Sequence, residues 1–126
     1  MNEVVYDAGA LVAAERNDRA FWAVHRVFLE IGVVPWVPAA IVAQVSRSPK
    51  QASLRRLLRG CAVVPLDETG AHRAGALLGN TGTSDVADAT LVDLALSRGA
   101  DIVTGDRTDI ERLLSSARSK LRVVDV

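Results

Sequence analysis

Apolar residues recur along this chain in two rhythms. Short apolar runs bounded by turn-forming residues, at 4–6, 33–37, 61–64, 101–104 and 121–124, read as strands, the first of them buried. Between them the period lengthens. Phe21, Trp22, Val24, Val27, Phe28 and Ile31 follow a 3.6-residue repeat, which predicts an amphipathic helix over 20–31 stopping at Gly32. Asp7-Ala8-Gly9 turns the first strand into a short helical stretch reaching about Ala14, and the polar cluster Arg16-Asn17-Asp18-Arg19 closes it. Pro35 cannot donate to a ladder, so the strand at 33–37 is expected near an edge. Pro38 suits the first turn of a helix running to about Arg47, and Ser48-Pro49 breaks it. Ser53 can cap the next helix, 54–59, with Leu54, Leu57 and Leu58 inward and Arg55, Arg56 and Arg59 outward. Thr69 opens another, whose buried stripe is Ala71, Ala74, Leu77 and Leu78, and Gly79-Asn80-Thr81-Gly82 reads as a flexible loop. A helix over 84–97 with Gly99 as its stop precedes the strand at 101–104. After the Gly105–Thr108 turn, Ile110, Leu113 and Leu114 suggest a short last helix.

Strands alternating with helices predict an α/β fold of three layers, α/β/α, with a central, mainly parallel sheet. At 126 residues the chain reads as a single domain, 1–126, long enough to bury a core without staples. Hydrophobic residues make up 49% and charged residues 24%, which excludes a disordered or low-complexity chain. The single cysteine, Cys61, excludes an intrachain disulfide and fits a reducing cytoplasm. The start MNEVVYD carries acids where a signal peptide needs basic residues, and the uncharged stretch 31–45 is shorter than the roughly 20 residues of a spanning helix. A cytoplasmic protein without a membrane segment is expected.

Formal net charge is zero, yet it hides a division. Between Ile31 and Leu66 there is no acid, while Arg47, Lys50, Arg55, Arg56 and Arg59 give that segment five positive charges. The flanks are net negative by the same amount. An acidic pocket for cations beside a basic surface for a polyanion backbone fits this arrangement, and so does a plain solvated helix face.

The acids carry the chemistry. Asp7 ends the first strand, and Asp106 follows the strand at 101–104 by two residues. Asp85 and Asp88, three apart, share one face at the start of the helix at 84–97, where unpaired N–H groups favour negative charge. Open parallel sheets build sites at their strand ends, so Asp7, Asp88 and Asp106 are candidates to converge. Carboxylates about 4 Å apart repel by about 4 kcal/mol at an effective dielectric near 20, so such a cluster calls for a cation or shared protons. Oxygen ligands select a hard divalent ion, Mg²⁺ or Mn²⁺, which orients and activates water and stabilises charge on a phosphodiester. The same acids are also what a helix cap and a turn require.

Three segments, VVYDAGALVA, VPAAIVAQVSR and DVADATLVDLALSRGADIVTGDRTDIERL, in this order and spacing, make the chain resemble the PIN-domain nucleases and, within them, the VapC toxins of bacterial toxin–antitoxin pairs. The resemblance implies a metal-dependent endoribonuclease, commonly a homodimer, inhibited by a small cognate antitoxin (VapB-like) that inserts into the active-site groove. Asp7, Asp88 and Asp106 match the family's acids, and Thr104 matches the hydroxyl residue that often precedes the last of them by two. One position departs. Where the family usually has a glutamate on the middle helix, this chain has Gln44, whose amide carries no charge and cannot act as a base. Glu15 or Asp85 are candidates to supply the missing charge, and Asp109 is an outer candidate. A catalytically weak RNA- or protein-binding module is the alternative. His25 and His72 lack ligand-spaced partners, so zinc is not implied, and no Gly-rich phosphate loop follows a strand.

Overall fold

The computed structural model describes residues 3–81 and 85–105. Ten elements follow in order: β1 (Val4–Tyr6), α1 (Ala8–Glu15), α2 (Arg19–Glu30), β2 (Trp36–Pro38), α3 (Ala39–Val45), α4 (Ala52–Arg59), β3 (Ala62–Val64), α5 (Glu68–Thr81), α6 (Val86–Arg98) and β4 (Asp101–Val103). The strands form one parallel sheet in the order β3-β2-β1-β4, with Val5 beside Trp36 and Ile102, and Tyr6 beside Val103. Helices cover it in the three-layer α/β/α arrangement expected. All three residues of β1 are buried, as a central parallel strand covered on both faces requires. Around it pack Leu11, Phe21, Phe28, Val37, Ile41, Leu54, Leu57, Leu91 and Val103, which belong to one continuous core.

The helix boundaries follow from local chemistry. Asp18 caps α2 by accepting from the Phe21 N–H at 2.9 Å, and the Trp22 indole N–H ties α2 back to the Ala14 carbonyl at 3.1 Å. Both predicted glycine stops are present. Gly32 (φ +81°) and Gly99 (φ +61°) take the left-handed conformation that Cβ disfavours, and in each case two backbone N–H groups fold back onto the last turn. For α2 these are Gly32 onto Leu29 and Val33 onto Phe28; for α6, Gly99 onto Leu96 and Ala100 onto Ala95. Arg73 of α5 clasps Asp93 of α6 at 3.0 Å, joining two helices that pack side by side.

Several expectations change. β2 lies inside the sheet, not near an edge: the strand starts one residue after Pro35, and the Pro35 carbonyl still accepts from the Ala62 N–H at 2.8 Å. Proline removes a donor only at its own position. Ser53 does not cap α4, which begins at Ala52 after Gln51; its hydroxyl donates instead to Asn17 at 2.8 Å. The helix α5 continues through Thr81, where a loop was expected from Gly79, and of its expected stripe Ala74 is buried, Leu77 and Leu78 are half-buried and Ala71 is exposed. The last helix and the strand at 121–124 lie outside the described residues.

Candidate active site

Asp7 leaves β1 at the carboxyl edge of the sheet and caps α1, its Oδ1 accepting from the Ala10 N–H at 2.8 Å. Its own N–H donates to the Val103 carbonyl at 3.1 Å, which continues the β1–β4 ladder one step past the strand and sets Asp7 alongside the exit of β4. Thr104 and Gly105 form that exit. Gly105 lies against Gly9 of α1: a Cβ built on Gly105 would meet the Gly9 carbonyl oxygen at 2.2 Å. The structure therefore brings Asp7 and Thr104 to one strand-end edge, and Asp106, next in sequence, lies outside the described residues, as does Asp109.

Asp88 occupies the first turn of α6, exposed, beside Asp85 at the N-cap, whose Oδ1 accepts from the Asp88 N–H at 3.0 Å. Partial desolvation, then the Asp85 charge and a side-chain hydrogen bond with Asp85, raise the Asp88 carboxyl above the ordinary aspartate range. A helix N-terminus favours the charge. α6 packs on β1 and β2, and α3 packs on both α1 and α6, so the helix carrying Gln44 joins the two acid-bearing helices. Gln44 itself is exposed.

Glu15 is placed elsewhere. It ends α1, eight residues and about 12 Å of helix rise from Asp7, and its Oε2 accepts from the Leu54 N–H at 2.7 Å, capping α4 from another helix. Among the described residues no three His, Cys, Asp or Glu side chains converge to hold a metal. Asp7 at the strand end and Asp88 at the start of α6 are hard oxygen donors, and like charge around Asp88 is what a divalent cation relieves, so their chemistry fits Mg²⁺ or Mn²⁺.

The basic segment divides by task. Arg47 donates through Nη1 to the carbonyls of Ala43 and Ser46, both at 3.0 Å, closing the end of α3. Gln51 stitches the same loop, accepting from the Arg47 and Ser48 N–H groups and donating to the Val45 carbonyl at 3.0 Å. Arg55 reaches the Ser48 carbonyl at 3.3 Å, and the Arg56 guanidinium lies 4.3 Å from the centre of the Trp22 ring. Lys50 and Arg59 are exposed. Trp22, His25, Leu29 and Arg56 help line a groove of about 850 Å³ between α2 and the end of α4.

His25 is buried and bonded to the Tyr6 hydroxyl through Nδ1 at 2.8 Å. Burial pushes the His25 imidazole down to about 4 and the Tyr6 hydroxyl well up, so both are neutral at pH 7. Trp22, its edge toward His25, is half-buried at the groove. No periodicity separates such a groove from a core face, because the same apolar spacing serves both.

A three-layer α/β domain on a parallel sheet, with Asp7 at the carboxyl end of its β1 strand and Asp88 in the first turn of α6, is the class these observations define. The family model for the PIN domain matches residues 4–113, and the chain belongs to the PIN-domain family. PIN domains are generally nucleases and typically use divalent metals. Among solved structures, the chain is similar in fold to a chain from the crystal structure of VapBC2 from Rickettsia felis bound to a DNA fragment from their promoter. The TM-score is 0.60 at 14% identity, over 87% of this chain and 92% of that one. No curated protein matches. Among the described residues no helix is long and apolar enough to cross a membrane.

Proposed function

We propose that this protein is a metal-dependent endoribonuclease and the toxin of a VapBC-type pair, with Asp7, Asp88 and Asp106 holding Mg²⁺ or Mn²⁺. The observation that carries the reading is the parallel β1–β4 pairing, which sets Asp7 beside the strand exit leading to Asp106. When bound, the ion supplies an activated water and charge stabilisation for cutting an RNA phosphodiester. The chain's own residues do the rest. The Ala10 N–H holds one oxygen of Asp7 in place, and Thr104 stands beside it at the strand exit. Lys50 and Arg59, with the outer faces of Arg47, Arg55 and Arg56, contact RNA phosphates or an acidic stretch of a small VapB-like inhibitor, and the protein works as a homodimer in the cytoplasm. The fold likeness to a chain of the VapBC2 assembly supports the antitoxin as partner.

A second reading, a weak or inactive RNA- or protein-binding module, draws on Gln44, which brings an uncharged amide to the helix between the acid-bearing helices. RNA cleavage with Mn²⁺, with a chelator and with the Asp88→Asn variant separates the two. The nuclease reading expects chelator-sensitive cleavage that Asp88→Asn abolishes, and a fully active Asp88→Asn protein overturns the site. Gln44→Glu should tighten Mn²⁺ binding if Gln44 faces the ion. Salt should weaken RNA binding, and replacing Arg55 and Arg59 together should make that dependence shallower.

A further inference from the structure

Among the described glycines, Gly105 makes the closest backbone approach, and it makes it to Gly9. A Cβ on Gly105 would lie 2.2 Å from the Gly9 carbonyl oxygen and 2.8 Å from its carbonyl carbon, both of them backbone atoms inside the first turn of α1. Neither can swing aside as a side-chain tip could. In the other direction the fit is tight without being impossible: a Cβ on Gly9 would meet the Gly105 nitrogen and Asp7 Oδ1, each at 3.2 Å. Gly105 is not among the glycines with positive φ, so its conformation alone does not demand glycine. The close approach does.

The place of this contact gives it a function. Asp7, one of the proposed metal ligands, lies two residues before Gly9, and its carboxylate is oriented by the Ala10 N–H in the same helical turn. Thr104 immediately precedes Gly105, and Asp106 immediately follows it in sequence. At the carboxyl end of the β1–β4 pair, the Asp7 N–H donates to the Val103 carbonyl, the Ala10 N–H holds Asp7 Oδ1, and Gly9 meets Gly105 backbone to backbone. The two bonds fix Asp7. The glycine contact holds the chain leaving β4 against the turn that carries Asp7.

We propose that Gly105 and Gly9 are positioning residues: their side-chain-free contact sets the exit of β4 at the distance from Asp7 that the divalent-cation site requires. This inference rests on the metal-site reading above, and it also makes a claim about backbone geometry that stands without the metal. A Cβ at position 105 forces the strand exit away from α1, and a displacement near 1 Å at a reacting site costs on the order of 100-fold in rate.

The test measures Mn²⁺ affinity by calorimetry, and amide hydrogen exchange, on the full-length wild type, Gly105→Ala and Gly9→Ala. Gly105→Ala should weaken Mn²⁺ binding by at least about tenfold and raise exchange at the Asp7 and Ala10 amides by a similar factor, while the amides of α2 stay as protected as in the wild type. Gly9→Ala should move both readouts in the same direction by less, since its neighbours need shift only slightly. A merely structural glycine would instead lower protection across the domain. The proposal is overturned if Gly105→Ala leaves the Asp7 and Ala10 amides and the Mn²⁺ affinity within about twofold of wild type, or if Gly9→Ala is the more damaging change. Should the wild type bind no Mn²⁺, the nuclease reading fails, and the amides alone decide the contact.

Discussion

Tyr6 and Asp7 are consecutive residues with opposite surroundings. Tyr6, the last residue of β1, is fully buried, its ring edge-on to Phe21 at 5.2 Å and its hydroxyl bonded to His25. Asp7 stands half-buried at the rim of the sheet. In the interior, ionisable groups are kept neutral by burial and paired, so they stabilise the fold in one protonation state. At the start of α6, Asp85 and Asp88 share one helix turn, and partial desolvation, with the Asp85 charge added, pushes Asp88 upward. Asp18 shows that capping does not explain the difference, for it caps α2 with the same bond geometry as Asp7 caps α1. What separates the two is the sheet edge, not the cap.

That contrast can be broken most decisively at Asp7. Asp7→Asn keeps a good helix cap, so stability should change by no more than about 0.5 kcal/mol, while Mn²⁺-dependent RNA cleavage should fall at least about 100-fold. Asp18→Asn should alter neither. Initial cleavage rates and urea midpoints on the two variants check this, and equal activity losses would erase the distinction between rim and cap.

The interior should show itself through pH. His25 has a folded-state pKa below its unfolded value, so its contribution is present above about 6.5 and is lost as pH falls toward about 4. The loss should be no more than about 3 kcal/mol. In His25→Leu this dependence should vanish, on a lower plateau because the Tyr6 hydroxyl loses its partner. Urea midpoints between pH 7.5 and 4 report it, and parallel curves for the two proteins would show that His25 does not carry the window.

A smaller effect sharpens the role of Glu15. Because its carboxylate caps α4, Glu15→Ala should lower stability by about 1 kcal/mol and leave Mn²⁺ affinity unchanged. A weakened Mn²⁺ affinity would return Glu15 to the site. The least effect on stability is expected at Asp88, with a pH direction opposite to that of His25. Its folded pKa is raised, so the fold disfavours the charged form, and any stability tied to the protonated form is lost as pH rises through the carboxylate range. Asp88→Asn should therefore be more stable than wild type at pH 7, by a few tenths of a kcal/mol as for like-charge neighbours on a helix, and equal to it near pH 3. Thermal melts at both pH values decide it.

By itself the sequence determined the alternation of strands and helices, the glycine stops at 32 and 99, and the candidacy of Asp7 and Asp88, because periodicity, caps and left-handed turns are local and each is written in a few adjacent residues. It also carried the PIN-domain likeness through three ordered segments. What needed tertiary structure were partnerships across long stretches of chain. Pro35 marks an edge strand by local rule, but strand order depends on which elements pair, and β2 runs between β1 and β3. Glu15 is an acid eight residues past Asp7 in sequence, and only the packing of α1 on α4 turns it to the Leu54 N–H. Gly9 and Gly105 are ordinary turn residues in one dimension. Their contact exists because β1 and β4 are neighbours in parallel register, a non-local pairing that no window of adjacent residues contains.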